Sequence, residues 1–387
     1  MAITTTYSQY DTFSTTLYAS PDVEVHPDEW CWMDVAQNHL MQDQHLFPTS
    51  IDCRNPKKSI ASFINRRWKP VTAIQPQHVA LTETDSALDG ILSALLDRDD
   101  GILMLLHEFQ PLSLPTSASI IPVEVDGIDP LSLAAVASYR RDLAIFEHCT
   151  GRKARAIVIR NPHPLLGRCY PISAIIELMK LCREYDLHLV SDERHWHSVW
   201  KNTIDDTASV PFISILSVNT EGIVDANYIH AVWGFSPGDH LDDGVEAIIS
   251  QSTRRIHTTT GHGSYSPIAN LLEDYTSIDR YLQLKASRTT SAFEYVTLFL
   301  RHHRIPYEDG CNAGVFLWLD LKTRFLQLHP ERQEEGDLHG VIKDGLIRHR
   351  VKLADGAPPG WFGLVFTHPD AYLTEALSRI VAAVTGC

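Results

Sequence analysis

Continuous apolar runs alternate through much of this chain with stretches in which apolar residues recur every third or fourth position. The spacing in SIASFINRRW (59–68) predicts a helix. VALTETDSALDGILSALL (79–96) predicts a strand, a turn and an amphipathic helix. GILMLLHEF (101–109) is apolar until it ends in polar residues, as a strand buried on both faces does. SIIPVEV (119–125), ARAIVIRNPHP (154–164), LHLVSDE (187–193) and YIHAVWG (228–234) predict further strands, with a helix over residues 171–186 between the second and third. A helix-rich stretch follows at 266–304, and AGVFLWLDL (313–321) through GWFGLVF (360–366) predicts a smaller α+β unit.

Strands alternating with helices predict a parallel sheet with helices on both faces. Ligands in such sheets sit at the carboxyl ends of the strands. The polar residues there are His107-Glu108, Asn161, Asp192-Glu193 and Ser236. With 387 residues the chain has ample length for one large core and a smaller appendage. The expected division is an N-terminal arm with a small-domain segment (1–60), a large domain (61–285) and a small C-terminal domain (286–387).

A net charge of −15 argues against nucleic-acid and anionic-membrane partners, which need a basic surface. No apolar run is long enough to span a bilayer, and the polar N-terminus lacks a signal pattern, so the cytoplasm is expected. The seven cysteines are scattered without metal or redox spacing, and no histidine motif in the strand-end segments predicts a metal.

The strand ends carry a resemblance. DVAQNHL (34–40), RNPHPLLG (160–167), LHLVSDERH (187–195), CNAGVFLWLDL (311–321) and PPGWFGLVF (358–366) follow in order the signature segments of the pyridoxal-phosphate (PLP) enzymes of aminotransferase fold type I. The chain resembles in particular the branch of 1-aminocyclopropane-1-carboxylate (ACC) synthases. The resemblance implies an α/β fold with a mainly parallel sheet, a smaller α+β C-terminal domain, a homodimer and a small-molecule substrate. It also places Asn38 and Asn161 in the pocket.

The departures from that pattern bear on function. An enzyme of this type needs a Schiff-base lysine, a phosphate cup and an arginine for the substrate carboxylate. The lysine position falls on Pro237, and no lysine lies between Lys201 and Lys285. The cup reads Glu83-Thr84-Asp85, whose carboxylates repel phosphate. The cofactor's arginine and tyrosine partners fall near Gly244 and Ser50, and the carboxylate-binding arginine falls on Gly363. The expectation is that PLP has been lost.

The resemblance makes Asp192 the partner of the cofactor's ring nitrogen; without PLP it is a buried carboxylate with no cation supplied by the cofactor. It is expected either to have a raised pKa and act as a general acid or base, or to be a relic bonded within the fold. His195 lies three residues on, and the pair makes a plausible acid–base couple; the competing reading is a surface or capping histidine. His197 is expected to point elsewhere. Together His107 and Glu108 are further candidate proton carriers, though either alone reads as a solvent-facing loop residue. Phe109 is an apolar wall, and Trp233 and Ser236, which border the lost lysine, are expected substrate contacts, with core packing the competing reading for Trp233. Two functions stay open. One is a cofactor-independent enzyme performing cyclisation, elimination, isomerisation or an aldol-type step on a small organic molecule, with fungal natural-product biosynthesis as its setting. The other is a noncatalytic binding protein. An open pocket with converging polar groups favours the first, a pocket filled by side chains the second. A lysine-less PLP or pyridoxamine-phosphate enzyme is a further alternative.

Overall fold

The computed structural model describes residues 29–41, 55–82, 86–106, 118–235, 245–250, 266–356 and 358–386. After a short strand β1 (Cys31–Trp32), helix α1 (Pro56–Trp68) opens with Asn55, whose side chain accepts from the Lys58 N–H, and with Pro56 in the first turn. A cap and a proline are what start a helix where four N–H groups lack partners. Then come β2 (Val79–Thr82), α2 (Ala87–Leu95), β3 (Gly101–Leu105), β4 (Ser119–Val123), α3 (Val136–Thr150), β5 (Ala154–Arg160), α4 (Ile172–Tyr185), β6 (His188–Asp192), β7 (Ile229–Phe235) and β8 (Val245–Ser250). These strands form one seven-stranded sheet in the order β2-β8-β7-β6-β5-β3-β4. Only β8 runs against its neighbours. Sequence patterning finds each of the other strands; β8, with Glu246 inside VEAIIS, is not predicted.

Alternation along the strands sends side chains to opposite faces. Ile102, Met104, Ala156, Val158, Val190, Val232 and Ile248 pack on α2. Leu103, Leu105, Ile157, Ile159, Leu189, Trp233, Phe235 and Ile249 face the larger core with α1, α3 and α4. Because both faces are covered, the strands read as unbroken apolar runs.

Helices α5 (Ser266–Glu273) and α6 (Tyr275–His302) lead to the smaller unit. Asp274 caps α6 by accepting from the Ser277 N–H at 3.1 Å. Helix α6 contributes Ile278, Tyr281 and Leu282 to the larger core and Ala292, Phe293, Val296 and Leu300 to a second core. That second core also contains residues of β9 (Phe316–Asp320), α7 (Leu321–Leu328), α8 (Leu338–Arg348), β10 (Val351–Lys352), β12 (Trp361–Val365) and α9 (Asp370–Thr385). Strands β9 and β12 pair with β11 (Ala354–Asp355) in an antiparallel sheet, and β10 pairs in parallel with β1. Among the described residues no helix is long and apolar enough to cross a membrane.

One polar chain crosses the large sheet at the amino ends of its parallel strands. His188 Nδ1 lies 3.0 Å from His230 Nε2, and His230 Nδ1 lies 2.8 Å from Ser250 Oγ. His230 is fully buried, and the Tyr228 ring stacks on His188 with centroids 4.6 Å apart. Removing the middle member leaves two buried polar groups and a cavity. His230→Ala is therefore expected to lower stability by about 3 kcal/mol, read as a fall in the urea midpoint. An unchanged midpoint would contradict the assignment of this chain as a staple.

Candidate functional site

The carboxyl ends of the parallel strands carry Arg160 on β5, Asp192 on β6 and Gly234 on β7, with Glu246 at the start of β8. Register brings them together: Arg160 pairs with Asp192, Asp192 with Val232, and Gly234 with Glu246. Strand alternation puts all four on the α2 face.

Arg194 joins them from the turn after β6. Its Nε donates to Asp192 Oδ1 and its Nη2 to Asp192 Oδ2, each at 2.9 Å. Its Nη1 donates to Glu246 Oε1 at 2.9 Å. The second oxygen of Glu246 accepts from the Ala87 N–H at 3.4 Å, at the first turn of α2. Arg160 Nε stands 3.7 Å from Asp192 Oδ2. The planar guanidinium matches the carboxylate's two oxygens, which a lysine ammonium does not do. Gly234 makes room for it: a Cβ there would lie 3.0 Å from Arg194 Cγ.

These contacts decide between the two readings of Asp192. Burial alone would raise its pKa, but the Arg194 guanidinium, its hydrogen bonds and Arg160 overcome that and hold the carboxyl well below the usual carboxylate range. Arg194 moves the other way: burial disfavours its charge, yet Asp192 and Glu246 raise its pKa well above normal. Asp192 is a fixed anion with a cation already on it: of the two readings the sequence left open, it is the carboxylate bonded within the fold and not the near-neutral acid or base.

The other expected residues divide. Asn161 is fully buried and spends its amide inside the fold, accepting from Tyr170 N–H at 3.1 Å and donating to Ile213 O at 3.1 Å. It staples its loop instead of facing a substrate. Trp233 is fully buried on the opposite face of the sheet from Asp192, with its ring 6.1 Å from that of Phe63. Alternation on β7 makes it core and removes it from the expected substrate contacts. His195 is exposed at the turn after β6. His197, expected to point elsewhere, is buried, with its Nδ1 2.9 Å from the Nζ of buried Lys285 on α6. Asn38 lies in the same cleft as His197, Lys285 and Thr289. His107, Glu108, Phe109, Ser236 and Pro237 lie outside the described residues, as do Glu83, Thr84, Asp85, Gly244 and Ser50.

The position expected to have lost the substrate-binding arginine, Gly363, is sterically closed. A Cβ there would lie 2.9 Å from the Trp318 ring and 3.3 Å from Ala354 Cβ. Trp318 is held by its Nε1–H, which donates to Leu165 O at 2.6 Å.

Sequence reasoning missed Arg194, Arg160, Glu246 and Lys285. The available signal was a charge where a buried strand end should be apolar: arginine directly after Asp192-Glu193, and Glu246 inside VEAIIS.

Similarity to known proteins agrees with this fold. The family profile "Aminotransferase class I and II" matches residues 27–380. A Mus musculus protein described as probable inactive 1-aminocyclopropane-1-carboxylate synthase-like protein 2 is 25% identical over 84% of this chain, which spans 57% of that protein's length. The probable aminotransferase sirI of Leptosphaeria maculans is 25% identical over 88% of this chain and 84% of its own. Among solved structures, a Thermus thermophilus aspartate aminotransferase mutant superposes with a TM-score of 0.65 at 16% identity, covering 92% of both chains. A PLP-bound C-S lyase of Staphylococcus hominis gives 0.66 at 16% identity, again with 92% of both chains covered.

Next to Asp192 sits a group of opposite behaviour. Glu193 is fully buried; burial raises its pKa, Ile215 N–H, Ser214 and Ser191 oppose this by donating to it, and Asp192 adds repulsion, leaving it at about 7. The folded chain holds this proton more tightly than the unfolded one. Its contribution to stability is therefore complete below the ordinary value of 4.5 and is lost as the pH rises through about 7. That contribution is about 3 kcal/mol. Glu193→Gln is expected to flatten the fall in urea midpoint between about pH 5 and pH 8. A wild-type midpoint that does not fall across this interval would remove the assignment.

Proposed function

We propose that this chain, which belongs to the class I and II aminotransferase family and to its ACC synthase-like branch, works without PLP. The observation that carries the reading is the Arg194 guanidinium on Asp192. The cofactor's ring nitrogen would need that carboxylate, and both of its oxygens are already engaged. The start of α2, where free N–H groups would attract a phosphate, is approached instead by the Glu246 carboxylate. A phosphate dianion brought there would meet a buried negative charge. The residues present do not fit the cofactor at either end, and the closed position at Gly363 argues against a free amino acid as substrate.

The function proposed is PLP-free acid–base chemistry on a small organic molecule: cyclisation, elimination, isomerisation or an aldol-type step. With Asp192 neutralised, exposed His195 is the proton carrier at the sheet's edge, and His107, Glu108, Phe109 and Ser236 remain its sequence-based companions. Relatives from Leptosphaeria maculans and Aspergillus oryzae support a fungal setting, for which we propose specialised biosynthesis by a cytoplasmic homodimer. A noncatalytic binding protein is the second reading, favoured by the filling of the cofactor seat with side chains.

Purified chain is expected to show no cofactor absorbance in the near ultraviolet and violet, and no thermal shift on addition of PLP. Tight PLP binding with a free-aldehyde or pyridoxamine spectrum would overturn the reading. Arg194→Leu leaves Asp192 and Glu246 buried without their cation, and is expected to lower stability by about 3–5 kcal/mol in urea unfolding. A change below about 1 kcal/mol, the size of a surface pair, would mean that Arg194 does not hold the seat closed.

A further inference from the structure

We propose that Lys285 and His197 form a reactive centre, separate from the inherited cofactor seat, in which the lysine amine condenses with a short polar aldehyde or ketone. The inference goes beyond the PLP-free reading and does not depend on it.

Lysine is rarely buried, yet Lys285 is only 3% exposed, on a helix whose other buried residues are apolar apart from Thr289 and Thr297. Its Nζ lies 2.9 Å from His197 Nδ1. A hydrogen bond at that distance requires one of the two nitrogens to offer a lone pair, because an ammonium and an imidazolium are both donors only. The pair therefore holds one proton between the two facing nitrogens, and His197 is placed to accept it from the amine.

Position supports a chemical role. The His197 ring meets the Phe235 ring edge-on at 5.5 Å. Phe235 ends β7, two residues before Pro237. The amine thus reaches the carboxyl end of the parallel strands, where ligands of such sheets bind, from α6 instead of from the turn after β7. It lies on the face of the sheet opposite Arg194. Asn38, Ser198, Thr289 and Gly314 line the cleft with small and polar groups. The wall at Ser198, Ala286, Gly314 and Val315 is only half-buried, so a thin layer separates the amine from solvent. As it stands the cleft leaves no room for even a water molecule, so only a carbonyl compound of a few atoms could reach the amine, and only by displacing part of the half-buried wall.

The step balances without a redox partner. His197 Nδ1 takes a proton from the Lys285 ammonium, and the freed amine attacks the carbonyl carbon while the C=O π electrons move to oxygen. A proton shifts from nitrogen to that oxygen. The hydroxyl of the resulting carbinolamine then leaves as water, carrying the proton His197 returns, as the nitrogen lone pair closes the C=N bond. One carbonyl and one ammonium become one protonated imine and one water, and His197 ends neutral as it began.

The test is trapping by borohydride. The full chain is incubated with glyoxylate, reduced, and mapped by peptide mass spectrometry. Lys285 is expected to carry the reduced adduct ahead of exposed lysines such as Lys153, whose side chain is 67% exposed. Trapping should be slower by about a hundredfold in His197→Asn, the size of a general-base contribution. Adducts confined to exposed lysines, with Lys285 unmodified in the wild type, would overturn the inference while leaving the PLP-free reading intact. A parallel incubation with PLP separates the two: a PLP adduct on Lys285 would overturn both the small-carbonyl assignment of this cleft and the PLP-free reading. A glyoxylate adduct without a PLP adduct supports both.

Discussion

The carboxyl edge of the large sheet depends on a buried ionic chain that runs from Arg160 through Asp192 and Arg194 to Glu246 and the start of α2. No member is stable alone. Two carboxylates at this depth would repel each other and lose their hydration, and an unpaired guanidinium would fare no better. As a set they satisfy one another and tie β5, β6, β8 and α2 together at one point. Such a network contributes little net stability compared with an apolar core of the same volume. What it determines is which charges this edge of the sheet can accept, and the chain fills that edge from within.

Much of the architecture was legible because it rests on local rules. Parallel strands buried on both faces read as continuous apolar runs, and the helices between them as period-3.6 stripes. β8 escaped because Glu246 breaks its run. The charge that hid the strand is the one that completes the network.

The site was less legible for a physical reason. Asp192 was found from its place at a strand end, but its behaviour is set by a guanidinium whose other anchor, Glu246, is 52 residues from Arg194 in sequence. Lys285 and His197 are 88 residues apart. Patterns in one sequence report which face a residue takes, and they do not report which distant side chain meets it there. His195 and His197 illustrate the point. They are two positions apart, one exposed and one buried, and the turn after β6 decides which faces inward.

Under the proposed PLP-free reading, the same network gives a reason why changing Pro237 alone would not restore PLP binding. A lysine there supplies the covalent anchor, yet the ring nitrogen would still find Asp192 engaged by Arg194, and the phosphate would still meet Glu246. Removing Arg194 frees Asp192 but strands two buried carboxylates. Removing Glu246 strands one end of Arg194. Each single reversal is opposed by the charges that remain, so the return path crosses destabilised intermediates. Under the PLP-free reading proposed above, the electrostatics of the seat oppose the cofactor independently of the lysine that Pro237 replaces.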